Sequence, residues 1–151
     1  MKFREAKIED LEQLSKLFHS YRQLSVSLDN SAPESESADW IESRLKDGSG
    51  VFLLATADEQ VLGFATLYQG FSSVSLNKYW VLNDLYVSKS ARGLGLGRAL
   101  MEYTETYAKS TNAKGIELET SLDNVVAQSL YEDLGYLENT QYKRYFKKAQ
   151  L

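Results

Sequence analysis

Apolar residues change their period several times along the chain, and each change marks an element. "KFREAK" reads as a short first strand. Ile8, Leu11, Leu14, Leu17, Phe18 and Tyr21 then recur every three or four residues, which predicts an amphipathic helix over 8–24. The pattern lapses into polar "SVSLDNSAPESES" over 25–37, around the single proline, and this loop is the candidate for a lid. Helical spacing resumes in "ADWIESRLKDG", with Gly48 as the expected stop. "VFLLAT", "QVLGFATLYQG" and "KYWVLNDLYV" are rich in β-branched and aromatic residues and are divided by turn residues, so three consecutive antiparallel strands are predicted. A helix follows to about Ser110, with Leu96, Leu100, Tyr103 and Tyr107 on one face. "GIELET" is the next strand, "NVVAQSLYEDLG" a helix stopped by Gly135, and "YLENTQYKRYFKK" one or two closing strands.

This order predicts one α/β domain over 1–151: a mixed, mostly antiparallel sheet of six to seven strands flanked by about four helices. With 43% hydrophobic residues, 151 residues suffice to bury a core. There is no cysteine, which excludes disulfides, thiolate metal sites and a cysteine nucleophile, and no metal is expected. No signal peptide or membrane-spanning run is visible, so a cytoplasmic protein is expected without a membrane partner. The net charge of −4 argues against a nucleic-acid partner and for a cationic small molecule or basic peptide.

The chemistry concentrates in "DLYVSKSARGLGLGRALM", where Gly93, Gly95 and Gly97 alternate between a predicted strand and a predicted helix. Glycines there leave main-chain N–H groups uncovered, and the helix start adds unpaired N–H groups and the positive end of its dipole. Arg92 and Arg98 add charge suited to a pyrophosphate. A turn that merely packs a helix on a strand is the alternative. A dinucleotide fingerprint would need glycine where Arg98 stands, and a P-loop would need a lysine followed by serine or threonine, so both fail.

The stretch as a whole matches V-x-x-x-x-R-G-x-G-x-G, and "SLDNVVAQSLYEDLGY" matches N-x-x-A-x-x-x-Y-x-x-x-G-Y through Asn124, Ala127, Tyr131, Gly135 and Tyr136. Together they resemble the GNAT superfamily of N-acetyltransferases, and "FSSVSLNKYWVLNDLYV" resembles its branch with polyamine, diamine and histone-acetylating members. The resemblance implies an enzyme that moves the acetyl group of acetyl-coenzyme A directly to a primary amine. It implies that Arg92, Gly93, Leu94, Gly95, Leu96, Gly97 and Arg98 wrap the pyrophosphate, and that Asn124, Ala127 and Tyr131 also touch the cofactor. A bulge would splay the strand ending at Val87 from "GIELET", leaving main-chain groups of Leu85, Tyr86 and Val87 to bind the pantetheine and polarise the thioester. Tyr131 would be the general acid.

For the base, Asp84 stands three residues before Val87, and strand alternation puts Leu82, Asp84 and Tyr86 on one face. Glu117 and Glu119 are alternatives, and His19 is expected to pack or be solvated. Asn124 also suits a helix cap. Residues 22–37, with Asp29, Glu34 and Glu36, and residues 70–78 are expected on the acceptor side. A silent acyl-coenzyme A-binding or sensor module and a protein lysine or N-terminal acetyltransferase remain open. The C-terminal "QYKRYFKK" is expected as an exposed edge, hence a homodimer.

Overall fold

A computed structural model describes residues 1–24 and 31–149, which fall into two compact units, Met1–Glu119 and Thr120 onward. In the first, five strands form one sheet in sequence order: β1 (Lys2–Glu5), β2 (Val51–Ala57), β3 (Gln60–Ser72), β4 (Asn77–Val87) and β5 (Ile116–Leu118). The first three pairings are antiparallel: short turns join β2 to β3 and β3 to β4, while β1 reaches β2 across two helices. β5 joins β4 in parallel after a helical crossover. The helices of this unit are α1 (Leu11–Leu24), α2 (Glu34–Asp47) and α3 (Leu96–Ser110). The expected first helix begins as a 3-10 turn over Ile8–Asp10. Asp10 accepts there from the Lys7 main chain and from both Arg4 Nη atoms at 2.7 and 2.8 Å, tying β1 to the start of α1.

Strand alternation divides the core in two. Phe52, Leu54, Phe64 and Tyr86 face Leu14 and Phe18 of α1 and Ile41 of α2. Leu53, Ala65, Leu67, Trp80 and Leu82 take the other face, where Trp80 packs on Tyr107 of α3 with ring centroids 5.8 Å apart. The stripe that α3 buries is Leu96, Leu100, Met101, Thr104 and Ala108. Tyr103 and Tyr107 are half-buried beside it, so the expected face is rotated by part of a turn.

Several expectations change. Positions 25–30 of the candidate lid, Asp29 included, lie outside the described residues. α2 starts at Glu34 behind Pro33, so Glu34 and Glu36 belong to the first turn of a helix, where carboxylates complement its dipole. Gly48 caps α2 in the left-handed conformation, as its position required (φ +71°). In the second unit, α4 (Val125–Asp133) forms as predicted, and Gly135 follows it at φ +94°. The closing segment 136–149 carries no strand among the described residues. Its aromatic and β-branched content expresses only a preference, and a strand exists only when another bonds to it. The sheet therefore has five described strands against the six or seven expected, and the edge that suggested a dimer is not formed as one. No helix among the described residues is long and apolar enough to cross a membrane.

At Gly63, β3 comes close against the backbone of β4. A Cβ there would stand 2.9 Å from the Tyr86 carbonyl oxygen and 3.1 Å from Leu100 Cδ1, and the backbone atom cannot yield as a flexible side chain could. Gly63→Ala should lower the unfolding free energy by roughly 1–3 kcal/mol in a denaturant titration.

Candidate active site

β3 and β4 are in register from Gly63↔Val87 to Thr66↔Asp84, and the next pair is Leu67↔Leu82. One residue of β4, Asn83, has no opposite number, so the strand bulges there. The bulge corrects the expected alternation. Asp84 and Tyr86 share the face of Thr66 and Phe64, under α1 and α2, whereas Leu82 faces α3 with Leu67. Without the extra residue the Asp84 side chain would point toward α3.

The parallel ladder to β5 runs only from Trp80↔Ile116 to Leu82↔Leu118, ending just before the bulge. Beyond it, no described strand of the unit pairs with the outer edge of Asp84, Leu85, Tyr86 and Val87. Alternate main-chain groups on that edge point away from β3. The Val87 carbonyl accepts from Arg92 Nε at 3.1 Å, and the Arg92 guanidinium lies 5.4 Å from the Tyr86 ring centroid. The Arg92 side chain thus folds back onto the end of β4.

Beside it is a cavity of about 210 Å³ lined by Val87, Ala91, Arg92, Gly93, Gly95, Leu96 and Gly97. Gly93 (φ +82°) and Gly95 (φ +76°) are left-handed, which side chains resist, and a Cβ on either would project into open space. None of the main-chain N–H groups of residues 93–97 donates to a carbonyl among the described residues, while the Gly95 carbonyl takes the Ala99 N–H and starts α3. The cradle therefore fits a phosphate group of a coenzyme A. Leu94 is exposed, and Leu96 is buried while it lines the cavity. Arg98 donates from Nε to Glu102 at 3.1 Å along the surface of α3.

Asp84 is 7% exposed. Asn83 Nδ2 donates to its Oδ1 at 3.1 Å, and its Oδ2 completes no hydrogen bond. Burial pushes the carboxyl above its usual range, against the opposing influence of the Thr66, Tyr21 and Asn83 side chains. Thr66 Oγ1 lies close enough to act on the charge but completes no bond of good geometry. Nearby, Trp40 Nε1 of α2 donates to the Tyr68 hydroxyl at 3.2 Å, and Arg44 lies over the Trp40 ring. Burial raises the Tyr68 phenol, the Trp40 bond opposes this, and the Asp84 charge adds to it. Sequence patterning offered no means of finding Thr66, Tyr68 or Trp40, since the register of β3 on β4 and the packing of α2 bring them together.

Glu117 and Glu119 are exposed, unlike Asp84. His19 Nδ1 lies 2.9 Å from Ser37 Oγ and links α1 to α2, a packing role as expected. In the second unit Asn124 accepts from the Ala127 N–H at 3.1 Å and caps α4. Tyr131 is half-buried with its ring 6.0 Å from Tyr136, and burial raises its phenol, which keeps the proton on it.

A mixed sheet with a bulged strand β4 and an anion cradle at that strand's end defines an α/β scaffold built to hold a phosphorylated ligand. Comparison with known proteins makes the class specific: the Acetyltransferase (GNAT) family matches residues 11–136, and the chain belongs to this family. It is 36% identical over 146 residues to an uncharacterized N-acetyltransferase, YhfO, of Bacillus subtilis, covering 96% of this chain and 95% of that one. A crystal structure of a probable acetyltransferase superposes with a TM-score of 0.90 at 36% identity, covering 99% of both chains. The fold is also shared, at 15% identity and a TM-score of 0.74, with a predicted acetyltransferase from Clostridium acetobutylicum solved with acetyl-CoA; that match covers 96% of this chain and 95% of the other. The protein is an acyl-coenzyme A-dependent acetyltransferase.

Because Asp84 holds its proton more tightly when folded than when unfolded, its ionisation opposes folding. Stability from this group is complete below the ordinary carboxylate value of 3.8 and is lost as pH rises through the raised one. Asp84→Asn removes the titration, so it should raise the melting temperature at pH 7 by about 2–4 °C. In calorimetry across pH, the gain should fade toward acid.

Proposed function

We propose that residues 1–151 act as one cytoplasmic, homodimeric acetyltransferase domain that transfers the acetyl group of acetyl-coenzyme A to a primary amine of a small cationic acceptor. The range and location rest on the sequence alone, and the dimer on the exposed aromatic C-terminal segment, which carries no strand among the described residues. The reaction and the acceptor are supported by one observation above the rest: a buried carboxylate, Asp84, with an unpartnered Oδ2 on the face under α1 and α2. An ammonium is the natural partner for such an oxygen, since it neutralises the charge and carries the proton that must leave. Burial makes Asp84 a stronger base than an exposed aspartate, closer to neutral working pH.

In this reading the 93–97 loop holds the pyrophosphate by main-chain N–H groups, and Arg92 spans that loop and the end of β4. Bound there, coenzyme A supplies the activated acetyl group. The outer edge of Leu85, Tyr86 and Val87 offers main-chain groups to hold the pantetheine and polarise the carbonyl. Asp84 takes the acceptor's proton, and Tyr131 keeps its own until it is given to the departing sulfur. The preference for a cationic acceptor rests chiefly on Asp84, while Glu34 and Glu36 lie exposed in the first turn of α2.

Thiol release from acetyl-coenzyme A over spermidine, butylamine, kanamycin and a lysine peptide tests the reading. Spermidine should be favoured, and Asp84→Asn should reduce its kcat/KM at least tenfold more than that of butylamine. No release with any amine, alongside tight coenzyme A binding, would establish the silent binding module instead, and release with the peptide alone a protein acetyltransferase.

Two further variants separate cofactor binding from chemistry. Gly95→Val forces a β-branched residue into a left-handed position and should abolish coenzyme A binding in calorimetry with the fold retained. Tyr131→Phe should lower kcat about tenfold or more and leave coenzyme A affinity unchanged.

A further inference from the structure

Thr66 is fully buried, and its partners across the two ladders are Phe52 on β2 and Asp84 on β4. Valine would fill the same space, favour the strand as well and bring no hydroxyl that needs a partner. The hydroxyl is therefore not explained by packing. Its Oγ1 and Asp84 Oδ2 are both buried, both lack a hydrogen bond, and belong to directly opposed residues of one rung, where Cβ atoms stand roughly 4.5–5.5 Å apart. That rung exists only because β4 bulges at Asn83.

We propose that Thr66 is a positioning residue for Asp84: its hydroxyl is the donor that serves Oδ2 and holds the carboxylate ready to take the acceptor's proton. The inference rests on the reading of Asp84 as the base. Asn83 already serves Oδ1 and the Tyr21 hydroxyl also favours the charged carboxylate, so Thr66 is the donor that the opposing strand contributes. Tyr21 of α1 and Tyr68 of β3 are the titratable groups that face Asp84. From α2, Arg44 acts on Tyr68 and not directly on Asp84, and no cation among the described residues does so. A donor to the charged form lowers a carboxyl's pKa, so losing Thr66 should raise it.

Carboxyl carbon NMR on protein labelled at aspartate measures this without turnover, with the Asp84 signal identified by its loss in Asp84→Asn. In Thr66→Val the Asp84 midpoint should move up by about one pH unit, and Thr66→Ser should restore it. Thr66→Ala removes the same hydroxyl should the valine variant not fold. The acid limb of kcat/KM for spermidine should move with the midpoint, while coenzyme A affinity stays constant. An unchanged midpoint in both Thr66→Val and Thr66→Ala overturns the proposal. A shifted midpoint with a wild-type acid limb in Asp84→Asn would instead sink the reading of Asp84 as base, and Thr66's role in catalysis with it.

Discussion

One unpaired residue, Asn83, sets the geometry on which the site depends. A strand alternates its side chains between two faces, so an extra residue exchanges the faces of everything beyond it. On the near side of Asn83, β4 sends Leu82 into the core under α3 and keeps its parallel ladder with β5. On the far side it sends Asp84 and Tyr86 under α1 and α2, and its outer edge carries no described strand. A single insertion thus ends a ladder and redirects a carboxylate together.

The end of β4 is then bound to the glycine loop by Arg92. Its guanidinium donates to the Val87 carbonyl and lies over the Tyr86 ring, so the residue read from sequence as a phosphate ligand is also a brace. Tyr86 in turn packs on Tyr21 and Phe64, within the cluster that meets Phe18 and Leu14. The cradle and the carboxylate are therefore held by one continuous set of contacts, and neither sits on a free loop. Precision of this kind matters where reacting groups must be held close and aligned.

Asp84 illustrates the cost of such a site. A charge this deeply buried is poorly solvated, and an oxygen without a donor adds to that penalty. Thr66 adds a second buried polar atom that needs a partner, where valine would add none. Local departures from good packing and pairing gather at one rung of the sheet, which is where a reaction would be expected to need them.

The elements themselves were legible in the chain. Periodicity located α1, α2, α3 and α4 and the three central strands, because each buries a face and must repeat at its own spacing. The glycines marked the loop, since left-handed backbone at positions 93 and 95 admits little else. The closing strands failed because composition gives a preference and pairing needs a partner. The face of Asp84 failed because alternation assumes an unbroken ladder, while the bulge at Asn83 depends on how β3 and β4 register through their whole length. Thr66 was invisible for the same reason: in sequence it is an ordinary strand residue 18 positions from Asp84, and only the register makes them opposite. What a residue does to its own backbone, or to neighbours within a turn or two, is written locally. Which face a carboxylate meets, and what it meets there, is decided by tertiary pairing, since hydrogen-bond register is a property of two strands at once.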